Sequence, residues 1–426
     1  MTGEAPARRP VRAAPRGTPL RDSMLTASDI AAARSRIAPH VVLTGCPRSL
    51  AIGEAAGCGV HLKAELRQRT GSFKDRGSLN RLLLLSREQR TAGVVAASAG
   101  NHAQALARHA ARLGIPCTIV MPDTAPLIKV GNTRASGAKV IQTGETLSDG
   151  MVVVERLIAE EGLSLVHAFD DLAVMAGQGT IGLEILEQVP GVTTIVVPVG
   201  GGGMISGIAT AVKARKPEVR VIGVEAAASP SAVRSLEAGA PTHVELSDTL
   251  ADGIAVKQIG DLTYPHIEAL VDDVVLAGEE EIIRAIFFLL EREKLVVEGA
   301  GAVGVAAILE GGMGLRPGET VACVLSGGNI DMNMVSRIID RGLWADGRLA
   351  SLSVVVRDRP GYLNEVTAVV AIEGANVLHI EHTRAFGDIA VGKVGIEMKI
   401  ESRGREHVAA IVAHLRELGH QVEEVM

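Results

Sequence analysis

TTIVVPVGGGGMISGIATAVKA, residues 193–214, runs from an unbroken apolar stretch through four consecutive glycines into an amphipathic pattern. A continuous apolar run of this kind reads as a strand buried on both faces, and the periodic segment after it as the returning helix of a βα unit. Adjacent glycines let several backbone N–H groups converge where that helix begins, and the helix dipole adds to them. The turn therefore reads as a cradle for a phosphate-like anion. It is not a P-loop, because GK[ST] is absent, and Ile205 or Ser206 stands where GxGxxG needs its third glycine. A strand-to-helix connection alone needs fewer than four glycines in a row.

The same rhythm extends on both sides. GVVAAS (93–98), helical HAQALARHAARLG (102–114), CTIVMP (117–122), AKVIQT (138–143), helical MVVVERLIAEEG (151–162) and LSLVHA (163–168) precede the turn. VRVIGVEA (219–226), DDVVLA (272–277) and TVACVLS (320–326) follow it. Strands separated by roughly 10–15 helical residues predict parallel βαβ units. So much of this exceeds a single sheet, so two α/β subdomains with a cleft between them are expected. The catalytic segment is placed at 23–345, with a smaller subdomain at about 64–168 inserted in it. From LWADGRLA (343–350) the pattern changes. SLSVVV (351–356), helical YLNEVTAVVAIEG (362–374), ANVLHIEHTR (375–384), VGKVGIEMKI (391–400), helical REHVAAIVAHLRELG (405–419) and QVEEV (421–425) spell βαββαβ. That is the ferredoxin-like arrangement, placed in a separate domain at 350–426.

Composition supports this reading and excludes others. Of the 426 residues 47% are hydrophobic and only 2% aromatic, so the cores are built from Ala, Val, Leu and Ile, as suits helices on parallel sheets. A net charge of −6 and so few aromatic rings offer no nucleic-acid surface. Cys46, Cys58, Cys117 and Cys323 show no CxxC spacing and read as reduced core residues of a cytoplasmic protein. Residues 1–22 carry five arginines and read as a disordered basic tail; no apolar segment follows Arg8-Arg9 to make a twin-arginine signal. No apolar stretch reaches the ~18 residues of a membrane span, so no membrane partner is expected.

Two further segments repeat the layout of strand, polar turn and helix. SAGNHAQ (98–104) offers Ser98 and Asn101 either as plain N-caps or as ligand groups, at the carboxyl end of a parallel strand where open α/β sheets bind ligands. CVLSGGNID (323–331) places Ser326 and two glycines after a buried strand. In RTGSFKDRGS (69–78), Lys74 follows Phe73, which would help desolvate its amine and lower its pKa. An anion cradle, an amine for a Schiff base and a polar partner for a ring nitrogen together suit pyridoxal 5'-phosphate.

RTGSFKDRGS, SAGNHAQA, PVGGGGMISG, LADGIAVKQIGDLTYPHIEALVDDVV (250–275), LVVEGAGAVGVAA (295–307) and LSGGNID resemble threonine dehydratases, also called threonine ammonia-lyases. These are fold-type II pyridoxal-phosphate enzymes, tryptophan synthase β-like in fold and close to serine dehydratases and serine racemases. The resemblance spans roughly residues 40–340. VVVRDRPGYLNEVT (354–367) is similar to the opening of an ACT domain, an amino-acid-sensing module.

The resemblance implies that Lys74 forms the Schiff base and takes the Cα proton of L-threonine, yielding 2-oxobutanoate and ammonia. It implies Phe73 against the cofactor ring, Asn101 on the ring hydroxyl, and Gly200, Gly201, Gly202, Gly203 and Met204 on the phosphate. Ser326 would meet the ring nitrogen, and Ser98, Ala99, Gly100, Asn101 and His102 the substrate carboxylate. Asp358, Gly361 and Asn376 would contact an amino-acid effector, such as isoleucine or valine, at the ACT domain. A homodimer or homotetramer is expected.

Three departures bear on this. Ala99 stands where racemase-like relatives carry an acid–base serine, which argues against racemisation. Asp75 replaces the apolar residue usual after the lysine and is similar to threonine synthase, whose substrate is phosphohomoserine. Glu225 matches the first ligand of a cation site found in some relatives, but AAASPSA (226–232) supplies no second carboxylate, so no metal is assigned. L-Serine and 3-hydroxyaspartate share the elimination chemistry, and one methyl group discriminates by only about 1–3 kcal/mol. A non-catalytic amino-acid sensor is the alternative from a different class.

Overall fold

The computed structural model describes residues 24–383 and 390–425. The basic tail read at 1–22 lies outside the described residues. The chain forms two compact units that divide between Ile330 and Asp331.

The first unit holds two sheets. The larger has the strand order Arg48–Ser49, Gly59–Ala64, Thr320–Leu325, Thr194–Pro198, Arg220–Ala226, Asp273–Ala277. Every neighbouring pair is parallel except the short first strand. The smaller sheet is parallel throughout, in the order Lys139–Gln142, Cys117–Met121, Val94–Ala97, Ser164–Leu165. Apolar runs predicted as doubly buried strands are so: every residue of Thr194–Pro198 and of Cys117–Met121 is buried. Fully burying each Val or Ile of this kind contributes about 1.5–3 kcal/mol.

Two elements differ from the periodicity. LSLVHA pairs over Ser164–Leu165 alone, because the His167 Nδ1 atom accepts the backbone N–H of Asp170 at 2.7 Å and turns the chain out of the sheet. The helix expected at 151–162 begins a turn earlier, at Leu147, because Thr146 and Asp149 form a capping box.

The helix Leu172–Gln188 was not legible as a unit and is buried on nearly all sides. It packs backbone to backbone on the helix Gly203–Lys213: a Cβ on Gly207 would lie 2.3 Å from the Met175 carbonyl oxygen. Beneath the helix Lys74–Leu83, the fully buried Arg76 makes paired bonds to Glu65 (2.8 Å each) and to Glu184 (2.6 and 2.8 Å). Glu184 also takes Lys63 at 2.6 Å. The network ties the Lys74 helix to the large sheet and to the Leu172–Gln188 helix.

The second unit comprises the helix Met332–Ala345 and an antiparallel sheet ordered Asn376–Thr383, Lys393–Glu401, Leu349–Arg357, Gln421–Val425. Its helices are Tyr362–Glu373 and Arg405–Glu417, giving the expected βαββαβ order. Leu349–Arg357 alternates buried and half-buried positions, as a one-sided sheet requires. Leu352, Val354, Ile396 and Met398 meet Val366, Val370, Ile411 and Leu415 in its core. Among the described residues no helix is long and apolar enough to cross a membrane.

Candidate active site

The sequence-marked loops of the first unit converge on one cavity of about 430 Å³. Phe73, Lys74, Ser98, Ala99, Gly100, Asn101, His102, Gly200 to Met204 and Ser326 all line it.

Lys74 opens the helix Lys74–Leu83, directly after Phe73. Its Nζ donates to the Ala168 carbonyl at 2.8 Å and lies 5.0 Å from the centroid of the Phe73 ring. Burial pushes its pKa down to about 8, against an opposing pull from Glu298. The free-amine form is therefore far better populated near neutral pH than for a solvated lysine. The loop before it is zipped to the loop that carries Ser326. Phe73 N donates to Ser326 O (3.0 Å), Gly328 N to Gly71 O (2.9 Å), and Ser72 bridges Gly327.

The glycine turn is a cradle that side chains would fill. A Cβ on Gly201 would fall 2.3 Å from the Phe169 ring, and Gly202 has φ +91° with Thr263 Oγ1 2.7 Å from its own Cβ position. Thr263 Oγ1 in turn donates to Gly201 O at 2.7 Å. Asp170 fixes this wall by accepting the backbone N–H groups of Asp261, Leu262 and Thr263. The helix Gly203–Lys213 starts here with no side-chain cap, so its first N–H groups remain for an anion. Met204 packs into the core behind the turn and also lines the cavity.

The Asn101–Leu113 helix also begins uncapped. Its N-cap is Gly100, and Ser98 Oγ accepts Gly100 N at 3.3 Å, so neither Ser98 nor Asn101 is the plain cap that the sequence allowed. Asn101 Nδ2 donates to Glu298 Oε1 at 2.7 Å, and Asn101 Oδ1 accepts Asn329 Nδ2 at 2.7 Å. The His102 imidazole is committed to Val166 O at 2.8 Å, and burial pushes its pKa down to about 3. For an anionic substrate group His102 thus offers its backbone N–H and not a charged ring. Ser326 is buried at the cavity wall, its hydroxyl 3.4 Å from Ala300 O.

Sequence reasoning passed over three groups here. Glu298 is buried in the cavity wall; burial, then the charge of Asp252, push its carboxyl up to about 7, with Asn101, Lys129 and Asn329 opposing. Lys129 Nζ and Asp252 Oδ2 pair at 2.8 Å, and both line the cavity. Asn329 joins two loops that carry Lys74 and Asn101. Glu298, Asp252 and Asn329 occur inside motifs named above and Lys129 outside them, but single polar residues between glycines and apolar runs carry no signal that separates them from solvated ones.

Glu225, the residue matched to a cation ligand, accepts Ser231 Oγ (3.2 Å), Ala232 N (2.7 Å) and Val233 N (3.0 Å). Its oxygens cap the helix Ser231–Ala238, and among the described residues no cluster of His, Cys, Asp and Glu is arranged to hold a metal. In the second unit, Gly361 (φ +102°) precedes the uncapped helix Tyr362–Glu373. Asp358 N donates to Gly392 O at 2.9 Å, and Asn376 Nδ2 reaches Glu401 Oε2 at 3.2 Å.

The chain belongs to the pyridoxal-phosphate dependent enzyme family, which residues 37–327 match, and residues 350–420 match the ACT domain. It is 48% identical over 402 residues to an L-threonine ammonia-lyase of Thermotoga maritima, covering 94% of this chain and 100% of that one. It is 46% identical to an L-threonine ammonia-lyase of Geobacter sulfurreducens, over 94% of this chain and 99% of that protein. The processed form of threonine deaminase isoform 2 from Solanum lycopersicum superposes with a TM-score of 0.74 at 32% identity, over 80% of this chain and 99% of that chain.

The cavity fits the family's cofactor. A bare-backbone cradle suits its phosphate, a desolvated lysine its aldehyde, and Asn101 and Ser326 can face its ring polar atoms.

Proposed function

We propose that this protein is a threonine ammonia-lyase that converts L-threonine to 2-oxobutanoate and ammonia. The observation that carries this is the placement of Lys74 on the wall of the cavity that the glycine cradle also lines, in a chain alike over nearly its whole length to L-threonine ammonia-lyases. Pyridoxal phosphate, held by Lys74, Asn101, Gly200 to Met204 and Ser326, supplies the electron sink that makes the Cα–H of a bound amino acid acidic.

The chain's own groups do the rest. N–H groups of the Ser98 to His102 loop bind the substrate carboxylate at an uncapped helix start. The Lys74 amine, freed when the substrate's amine takes its place and held partly unprotonated by burial, takes the Cα proton; the β-hydroxyl takes up a proton and departs as water, and the enamine released hydrolyses to the 2-oxo acid and ammonia. Phe73 and Phe169 wall the cavity against water. Asp75 is buried and absent from the cavity wall, so the resemblance of SFKDRG to threonine synthase does not reach the substrate. Ala99 lines the cavity without a hydroxyl, in keeping with elimination over racemisation.

The catalytic segment is assigned to 23–345 and the regulatory one to 350–426, although the helix Met332–Ala345 packs within the second compact unit. Asp358, Gly361 and Asn376 are assigned to an amino-acid effector, in a cytoplasmic homo-oligomer. Assay of 2-oxo acid and ammonia from L-threonine, L-serine, 3-hydroxyaspartate and phosphohomoserine tests the reading. L-Threonine should give the highest kcat/KM; release of threonine from phosphohomoserine, or no turnover of the panel, would overturn it.

A further inference from the structure

Asp75, the anomalous residue beside the lysine, is 1% exposed and fully engaged. Its carboxylate accepts Thr70 N at 3.1 Å, Thr70 Oγ1 at 2.8 Å and His109 Nε2 at 3.0 Å. The other imidazole nitrogen of His109, Nδ1, is buried with no hydrogen-bond partner among the described residues, so the bond to Asp75 is the imidazole's polar anchor. His109 lies on the helix that begins at Asn101, and Asp75 on the helix that begins at Lys74. One buried contact thus joins the two helices that present the Schiff-base lysine and the ring-hydroxyl asparagine. Burial alone would raise the Asp75 carboxyl, but His109 and Thr70 outweigh it and hold it below its usual range.

Thr70, pinned in this way, turns its carbonyl toward Asn329, whose Nδ2 donates to it at 2.8 Å. A backbone carbonyl only accepts, so this contact fixes which end of the Asn329 amide faces Thr70. The second N–H of the same Nδ2 then goes to Asn101 Oδ1 at 2.7 Å. That in turn fixes Asn101, whose Nδ2 must face Glu298 at 2.7 Å and keeps one further N–H without a protein acceptor among the described residues. Gly71 is part of the device. At φ +77° it carries no Cβ, which would sit 2.5 Å from Asn329 Oδ1.

We propose that Asp75, through Thr70, and Asn329, directly, are positioning residues that set the Asn101 amide so that it presents an N–H, and not its oxygen, to the ring hydroxyl of pyridoxal phosphate. The assignment rests on the proposed function for its ligand, and on the hydrogen-bond directions for its logic.

The test uses the full-length apoprotein, titrated with pyridoxal phosphate and followed by its visible absorbance band, with the apoprotein melting temperature measured alongside. Asn329→Asp can donate to neither Thr70 O nor Asn101 Oδ1, so the Asn101 amide swings its donor toward the new carboxylate. Cofactor affinity should fall by at least about tenfold, equal to about 1.4 kcal/mol. The visible band should also move to shorter wavelength as the ring hydroxyl loses its donor. Asp75→Asn keeps the volume but has one acceptor oxygen for three donors; it should move affinity and band the same way, by about threefold in affinity. An Asn329→Asp protein with a lowered melting temperature but unmoved affinity and band would overturn the proposal, leaving a structural role only. Should Asn329→Asp not fold, Asp75→Asn decides by the same two readouts. Wild-type protein that takes up no cofactor would instead overturn the proposed function, and this assignment with it.

Discussion

Replacing Glu298 by Gln in the apoprotein should abolish a pH-dependent loss of stability that the wild type carries. The carboxyl is 5% exposed, and its burial and the nearby Asp252 raise its pKa from 4.5 to about 7. A shift of that size, at about 1.36 kcal/mol per unit, is on the order of 3 kcal/mol. The sign follows from proton counting. Between 4.5 and about 7 the native state binds this proton and the unfolded state does not, so stability falls as pH rises through that window. Above about 7 the full cost is present, because the native carboxyl is then ionised in a buried wall. Gln keeps an acceptor for Asn101 Nδ2 and has no charge to desolvate. Denaturant unfolding of both proteins from about pH 5 to about pH 8 should show the variant gaining on the wild type by about 2–3 kcal/mol across the range. A difference between the two that stays flat with pH would refute the reasoning.

Three further outcomes follow from the same geometry. Gly201→Ala places a Cβ 2.3 Å from the Phe169 ring, so affinity for pyridoxal phosphate, read by absorbance titration, should fall by about tenfold or more, while the apoprotein still folds. Arg76→Lys removes the paired bonds to Glu65 and Glu184 in a fully buried setting; calorimetry should show a loss of about 3–5 kcal/mol, far more than for an exposed arginine. Lys129→Ala breaks a half-exposed pair with Asp252 that is worth at most about 1 kcal/mol, so melting should hardly change. Because both partners line the cavity, KM for L-threonine should shift and lose much of its salt dependence.

The fold was legible where periodicity was strong. The buried runs at 193–199, 219–226 and 320–326 appear as neighbouring parallel strands, and the six elements after residue 350 keep their predicted order. What was not legible depends on contacts between distant segments. The Leu172–Gln188 helix has no polar face to give it a period, since it is enclosed by the helices Lys74–Leu83 and Gly203–Lys213. The lysine, the glycine turn, Asn101 and Ser326 stood out by residue type within a motif. His102 was read as part of the loop that holds the substrate carboxylate; which of its groups faces the cavity was not legible, and Val166 O takes its ring. Asp75 and Glu298 illustrate the converse. Asp75 stood out in sequence only as a departure beside the lysine and Glu298 not at all, and only burial together with Thr70, His109 or Asn101 gives each a task.

Borohydride reduction of the holoenzyme, followed by peptide mass analysis, tests the central claim most directly. The peptide containing Lys74 should gain the mass of a reduced pyridoxal-phosphate adduct, no other peptide should carry it, and Lys74→Ala should lose both adduct and visible band. An adduct on a different lysine, or none on a protein that still releases 2-oxobutanoate from L-threonine, would contradict the account.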